Sequence, residues 1–299
     1  LVAWVKEINT LSKTYPFEYK DGEGSGEVAG YVYPGQYMNY WDNVISTWWA
    51  QYSGITVYNK FFEMDSADVY SDEARLQALK ALEKLKVKDY QLSGAESASH
   101  IEAQNALISG RALVMPTGSW IETENNEYLK QCGTELAMIS VPYINASAQK
   151  AGRNYLYASG GDIALAVNTG DENKIKIVKE FLAFLYSEQE ILRFTRLTGS
   201  PRPIQGNYED GLEENGELTL FAANCFRLRN EAEDLIYDAP NDVNAKNYLL
   251  YFGNFTSKWC VEVPYKAIIQ GQKTPQQVFD EEKARAVDKF PSWLAGAGL

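Results

Sequence analysis

The feature that most restricts the fold is a short apolar run, Ala112-Leu113-Val114-Met115, bounded by Gly110 and Pro116 and followed at once by a helix signal. Consecutive apolar residues between turn formers suit a strand covered on both faces, and strand followed by helix is the repeating step of an α/β sheet. Pro116 cannot donate to a ladder, so it ends the strand. Beyond it, Ser119 and Glu122 have the spacing of a capping box, in which hydroxyl and carboxylate each satisfy an orphan backbone donor. That spacing predicts Trp120 as the first helical residue. Ligands of open α/β sheets bind at the carboxyl ends of the strands, where helix N-termini converge, so Trp120 is expected to face a crevice. The competing expectation is a plain core plug enclosed by aliphatics.

Two further runs have the same form: "ELAMISVPYI", with its strand ending at Pro142, and Ile163 to Val167 behind Gly160 and Gly161. Between them the chain reads as helices. Trp4, Ile8 and Leu11 lie at helical spacing in the opening segment, and "PGQYMNYWDNVISTWWAQYSG" is a turn leading into an aromatic-rich helix closed near Gly54. Ser71 caps an amphipathic helix carrying Ala74, Ala78, Ala81 and Leu85, and another helix covers about Ser97 to Ser109. Ile175, Val178, Leu182 and Leu185 form a core-facing stripe on the next helix, after which Ser187 and Glu190 repeat the capping-box spacing and start a helix to about Leu197. From residue 207 onward helices dominate, the last opening at Pro275 and running to about Phe290. The pattern is an α/β core dressed by many helices.

Composition removes several function classes. The formal charge of −12 repels a phosphate backbone, so nucleic acid is not an expected partner. No apolar run reaches the length of a spanning helix, and no charged-then-apolar opening reads as a signal peptide, which places any export signal upstream. His100 is the single histidine, so zinc-protease motifs, histidine triads and multi-histidine metal sites are excluded, and no metal or cofactor is expected. Cys132, Cys225 and Cys260 are odd in number and far apart, which fits buried small hydrophobes better than a disulfide framework. Gly22, Gly24 and Gly26 lack the preceding strand and the GK[ST] ending of a phosphate loop, and "DAPNDVN" is a poor calcium loop. No pair of carboxylates is singled out by spacing for acid–base work.

What remains is aromatic rings at helix starts, glycines beside buried strands, and isolated Asp and Arg at loop mouths. A ring covers the C–H face of a sugar while carboxylates, guanidinium groups and backbone amides take its hydroxyls. This is a binding kit for a neutral polar ligand, with no catalytic residue.

The order of motifs resembles the carbohydrate-binding extracellular solute-binding proteins of bacterial ABC transporters, the maltose-binding type. The resemblance is strongest over residues 97 to 203, where "ALISGRALVMPTGSW" is similar to the family's helix, strand and G-x-W segment, and "GGDIALAVNTGDENKIKIVKEFLAFLYSEQE" to its Gly-rich strand and helix pair. Residues 1 to 55 and 262 to 290 are similar more loosely. The resemblance implies a periplasmic-binding-protein type II architecture, two α/β lobes joined by a hinge, with the upstream part of the N-terminal lobe missing. On that plan residues 1–35 are the remnant of the N-terminal lobe and its crossover, 36–160 the C-terminal lobe, 161–205 the crossover strand and helix pair, and 206–299 a helical part packed on the lobes. Carried over by motif, Trp120 is the aromatic that stacks on the sugar, Tyr40 and Trp41 lie in the segment of a second platform, and an offset would bring in Tyr37 or Trp48 instead. Gly160 and Gly161 match glycines whose backbone approaches the ligand. Asp162 stands where the family often has a bulkier contact residue, and Arg202 lies in a loop that often reaches the cleft. The implied protein is an extracytoplasmic, lipid-anchored or periplasmic monomer that binds a small carbohydrate and delivers it to ABC permease subunits without catalysis. The alternatives are a carbohydrate-active enzyme and a receptor for a non-sugar solute.

Overall fold

The structure, a computed structural model, describes residues 2–63, 66–85, 90–158, 170–200, 212, 216–237 and 264–297. It is a helix-rich α/β fold. The first part contains α1 (Val2–Thr14), β1 (Phe17–Glu18), β2 (Ser25–Gly26), β3 (Ala29–Tyr31), α2 (Asp42–Ser53), α3 (Ile55–Glu63) and α4 (Glu73–Glu83). Next come α5 (His100–Ile108), β4 (Ala112–Val114), α6 (Ile121–Glu124), α7 (Asn126–Cys132), α8 (Ala146–Lys150) and β5 (Tyr155–Ala158). The remainder holds α9 (Glu172–Leu185), α10 (Glu188–Thr198), α11 (Leu220–Glu231), β6 (Asp234–Tyr237), α12 (Pro264–Ile269) and α13 (Pro275–Ala297).

The strand foreseen at Ala112 is β4, and its partner is β3, parallel, with Ala29 opposite Ala112 and Tyr31 opposite Val114. On its other edge β3 meets Gln91 through a parallel bridge at Tyr31. A second parallel pair joins β5 to β6, with Tyr155 opposite Asp234. Between the pairs lies α2, whose Ile45, Thr47, Trp48, Trp49, Ala50 and Gln51 are all buried. A helix apolar or polar-satisfied nearly all round belongs in a core, and α2 packs against α4, β5 and β6. Tyr33, Met38, Ile45, Leu79 and Leu82 are fully enclosed there. Each large apolar side chain buried in this way stabilises the fold by roughly 1.5–3 kcal/mol relative to exposure.

Several local expectations are corrected. The run "ELAMISVPYI" is no strand: residues 134–145 carry no strand assignment, although burial alternates from Thr134 to Ser140 as on a pleat. Among the described residues, helix side chains serve its backbone. Met138 N–H donates to Asn224 Oδ1 (2.6 Å), Ile144 N–H to Gln51 Oε1 (2.9 Å), and Trp48 Nε1 donates to the Pro142 carbonyl (2.9 Å). Ser119 and Glu122 form no capping box. The helix starts at Ile121 with Trp120 in the cap position and no side-chain cap bond. Tertiary partners have taken both groups: Glu122 Oε2 accepts from Thr219 Oγ1 (2.8 Å), and Ser119 Oγ accepts from Ser200 Oγ (3.3 Å). Ser187 does precede α10 but leaves the helix uncapped, because its hydroxyl donates to the Phe184 carbonyl (2.7 Å). Asp72, not Ser71, caps α4, and Ser71 closes the preceding 3-10 turn, Ala67–Ser71. Capping boxes do form at Ser99 with Glu102, at the start of α5, and at Thr274 with Gln277, at the start of α13. On α9 the stripe of Ile175, Val178, Leu182 and Leu185 is only half-covered, and no residue of that helix is buried. The run Ile163 to Val167 and Cys260 lie outside the described residues, while Cys132 and Cys225 are free and buried.

Candidate functional site

The loops that leave the carboxyl ends of β3 and β4 lie side by side, because the strands are parallel neighbours. The first loop is fixed at Gly35, whose N–H donates to the Ala95 carbonyl (3.0 Å). A Cβ there would lie 2.3 Å from the Glu96 backbone, so only glycine permits the approach. The chain then turns, with Tyr37 N–H on the Pro34 carbonyl (2.8 Å), into the 3-10 helix Met38–Trp41. This presents Tyr37, exposed, and Tyr40, half-buried, on the outside. The second loop ends at Gly118-Ser119-Trp120. There the indole folds back over Gly118, where an added Cβ would meet the ring at 2.1 Å.

The two loops touch through their rings. Tyr40 and Trp120 pack edge to face, centroids 6.0 Å apart and planes at 81°. Tyr37 meets His100, in the first turn of α5, in the same manner at 5.2 Å and 78°. Three segments thus contribute His100, Tyr37, Tyr40 and Trp120 to one half-exposed aromatic rim. Burial pushes the Tyr40 phenol above its ordinary pKa, an effect opposed by a hydrogen bond with Trp120 and reinforced by the nearby Glu124 carboxylate and Tyr37. Glu124 itself is held beside the rim, its Oε2 accepting from Gln104 Nε2 (2.8 Å), whose Oε1 accepts from Asn125 Nδ2 (2.8 Å). Half-exposed ring faces with carboxylate and hydroxyl acceptors beside them suit a ligand with alternating C–H and O–H surface.

Of the residues chosen from sequence, the structure brings Tyr40 and Trp120 together and sends Trp41 inward. Trp41 is 3% exposed, packed on Tyr31 (6.2 Å, 80°) and Tyr33 (5.7 Å, 59°). Trp48 is also in the core, so of the two offset alternatives Tyr37 is the surface one. Gly160, Gly161, Asp162 and Arg202 lie outside the described residues. His100 and Glu124 were not foreseen as rim residues. The Ser99-x-x-Glu102 spacing was the available signal for His100, since it fixes that residue in the first turn of α5.

A separate cavity of about 450 Å3 lies between β4 and the extended 134–142 segment, lined mainly by aliphatic side chains such as Leu107, Val114, Leu136, Met138 and Val141. Its lining also includes Asn43, Thr117, Thr134, Glu135 and Ser140, with Thr117 Oγ1 buried and unpartnered, but the half-exposed rings of the rim are the surface on which the C–H face of a sugar stacks. Among the described residues no cluster of three or more His, Cys, Asp or Glu could hold a metal ion, and no helix is long and apolar enough to cross a membrane.

No protein-family model matches the chain. No curated protein matches it either. Among solved structures the fold is similar to that of a chitin oligosaccharide binding protein, with a TM-score of 0.58 and 14% sequence identity over 88% of this chain. The match covers 60% of the other protein, so the present chain spans less than two thirds of its length.

Proposed function

We propose that this chain is part of an extracytoplasmic solute-binding receptor that captures an oligosaccharide on the His100–Tyr37–Tyr40–Trp120 rim and passes it, unreacted, to an ABC permease. In this reading the receptor is a monomer with two α/β lobes, closing about a hinge because the ligand binds the shut form better than the open one. The observation that carries it is the edge-to-face pair of Tyr40 and Trp120 at the carboxyl edge of parallel strands, half-exposed where a core pair would be enclosed. The fold of a chitin oligosaccharide binding protein supports the ligand class.

The test is titration of the full-length polypeptide with chito- and malto-oligosaccharides, following heat release, tryptophan fluorescence and the products by chromatography. Stoichiometric binding with the sugar recovered intact is the expected result. Shortened products would replace the receptor by a carbohydrate-active enzyme. Binding that persists undiminished in Trp120→Ala would remove the rim from the reading.

A further inference from the structure

Strand β4 is less covered than its apolar sequence leads one to expect. Ala112 is buried, but Leu113 and Val114 are only half-covered, and both line the cavity of about 450 Å3 between β4 and the 134–142 segment. Residues 112–117 border this cavity on one side and residues 134–142 on the other, so it is a slot between two stretches of chain. Trp41 and Val44 also line it, from the end of the 3-10 helix and from α2. Its volume falls within the roughly 300–1,000 Å3 of small-molecule sites. Two polar groups of the lining, Trp41 Nε1 and Thr117 Oγ1, are buried without a hydrogen-bond partner. Trp41 is 3% exposed and wedged against Tyr31 and Tyr33, so its N–H cannot turn out to water. A buried donor without an acceptor is destabilising, and an occupant that brings an acceptor removes that cost.

We propose that this slot binds an uncharged, elongated and mainly apolar molecule whose polar end presents a ketone or ester carbonyl to Trp41 Nε1–H. The largely aliphatic walls favour an apolar body, which leaves water as it enters. The charged side chains of the described lining, Lys20 and Glu135, are both exposed, so a charged occupant would have no buried counter-ion. The Thr117 hydroxyl both donates and accepts, and so can serve a second polar atom of the occupant. The slot is separate from the aromatic rim: none of Tyr37, Tyr40, His100 and Trp120 lines it.

The test is uptake of N-phenyl-1-naphthylamine, a neutral apolar dye that brightens on leaving water, by the full-length polypeptide. The dye is then displaced with 2-octanone and, separately, with its isosteric hydrocarbon 2-methyl-1-octene. Stoichiometric uptake is expected, and Leu136→Trp, which fills the slot, should abolish it. Trp41→Phe keeps a ring on the wall but removes the donor, so the affinity of the ketone relative to the alkene should fall by about fivefold or more. No uptake by the parent protein, or undiminished uptake by Leu136→Trp, overturns the proposal. An unchanged ketone-to-alkene ratio in Trp41→Phe overturns the assignment of Trp41 Nε1 as the donor. Chito-oligosaccharides that displace the dye competitively overturn a slot separate from the rim, whereas oligosaccharides that fail to bind overturn the rim reading and leave the dye result standing. Should Leu136→Trp fail to fold, as judged by far-ultraviolet circular dichroism, Val114→Phe fills the same slot from β4.

Discussion

The Tyr40 and Trp120 rings pack edge to face, centroids 6.0 Å apart, joining the loop after β3 to the loop after β4. The two residues are 80 positions apart and come together only because their strands are parallel neighbours in register. Each ring fixes the tilt of the other. Removing either should therefore affect binding through both. Trp120→Ala is expected to weaken any oligosaccharide that binds by about tenfold or more, equivalent to about 1.4 kcal/mol, and Tyr40→Ala by about as much. Tyr40→Phe keeps the ring and should retain most of the affinity. Titration calorimetry of the three variants decides the matter, and an unchanged Tyr40→Ala would show that the indole stands unaided.

Gly118 controls the same indole from below. A methyl group there would lie 2.1 Å from Trp120 Cζ3, well inside contact distance, so Gly118→Ala must swing the ring away or shift the loop. The expected outcome is a loss of affinity comparable to that of Trp120→Ala, about tenfold, with the ring still present. Near-ultraviolet circular dichroism should lose part of its tryptophan signal while the far-ultraviolet spectrum is retained. Wild-type affinity in Gly118→Ala would mean that the indole position seen here is not the binding one.

Of the residues chosen from sequence, Tyr40 and Trp120 meet at this candidate site, Trp41 turns into the core, and Gly160, Gly161, Asp162 and Arg202 lie outside the described residues. Pro116 and the apolar run before it located β4, and the G-x-W spacing put Trp120 just past its end. β3 went unrecognised because three residues, Ala29–Tyr31, are too few to display a period. Tyr40 and Trp41 are adjacent on a 3-10 turn and so point to different sides, and aromatic content cannot tell which faces out. The capping boxes at Ser119 and Ser187 had the right spacing but lost to a serine hydroxyl, a threonine hydroxyl and a carbonyl supplied by the fold. For "ELAMISVPYI" the apolar run was real, but a strand also needs a neighbouring edge, and among the described residues side chains of α2 and α11 serve the backbone groups instead.

Asp21 ties the glycine-rich loop to the start of β4. Arg111 donates to its Oδ2 and also stands over the Tyr19 ring at 4.4 Å, while Tyr128 donates to the same oxygen at 3.1 Å. The Arg111 guanidinium, aided by the Glu23 amide and the Tyr128 hydroxyl against the effect of burial, holds the Asp21 carboxyl at about 2, below its ordinary 3.8. A carboxyl whose folded value is depressed stabilises the protein above the unfolded value and loses that contribution as pH falls from 3.8 through 2. Asp21→Asn should thus be destabilised by about 1–3 kcal/mol at neutral pH. Its deficit should shrink across the acid window and be small at its lower end. Urea unfolding of both proteins at a series of pH values checks this, and a deficit that stays constant into acid would mean that the pair's charge contributes nothing.

Arg75 and Glu282 lie 207 residues apart and form an ion pair with both side chains 6% exposed. Arg75 Nε and Nη2 both donate to Glu282 Oε2, at 2.9 and 2.5 Å, and the guanidinium also stands 5.4 Å from the centres of the Trp49 and Tyr70 rings. The pair pins α13 to α4, and Glu282 Oε1 is buried with no hydrogen-bond partner. Removing one charge strands the other away from water, whereas removing both removes the desolvation penalty with the attraction. Arg75→Ala is therefore expected to cost about 3–5 kcal/mol, and the double variant Arg75→Met, Glu282→Leu much less, if the apolar pair fills the same volume. Chemical denaturation of the two variants beside the parent gives the comparison. A double variant as unstable as Arg75→Ala would show that the attachment of α13 depends on the pair's geometry and the rings around it, with little owed to the balance of buried charge.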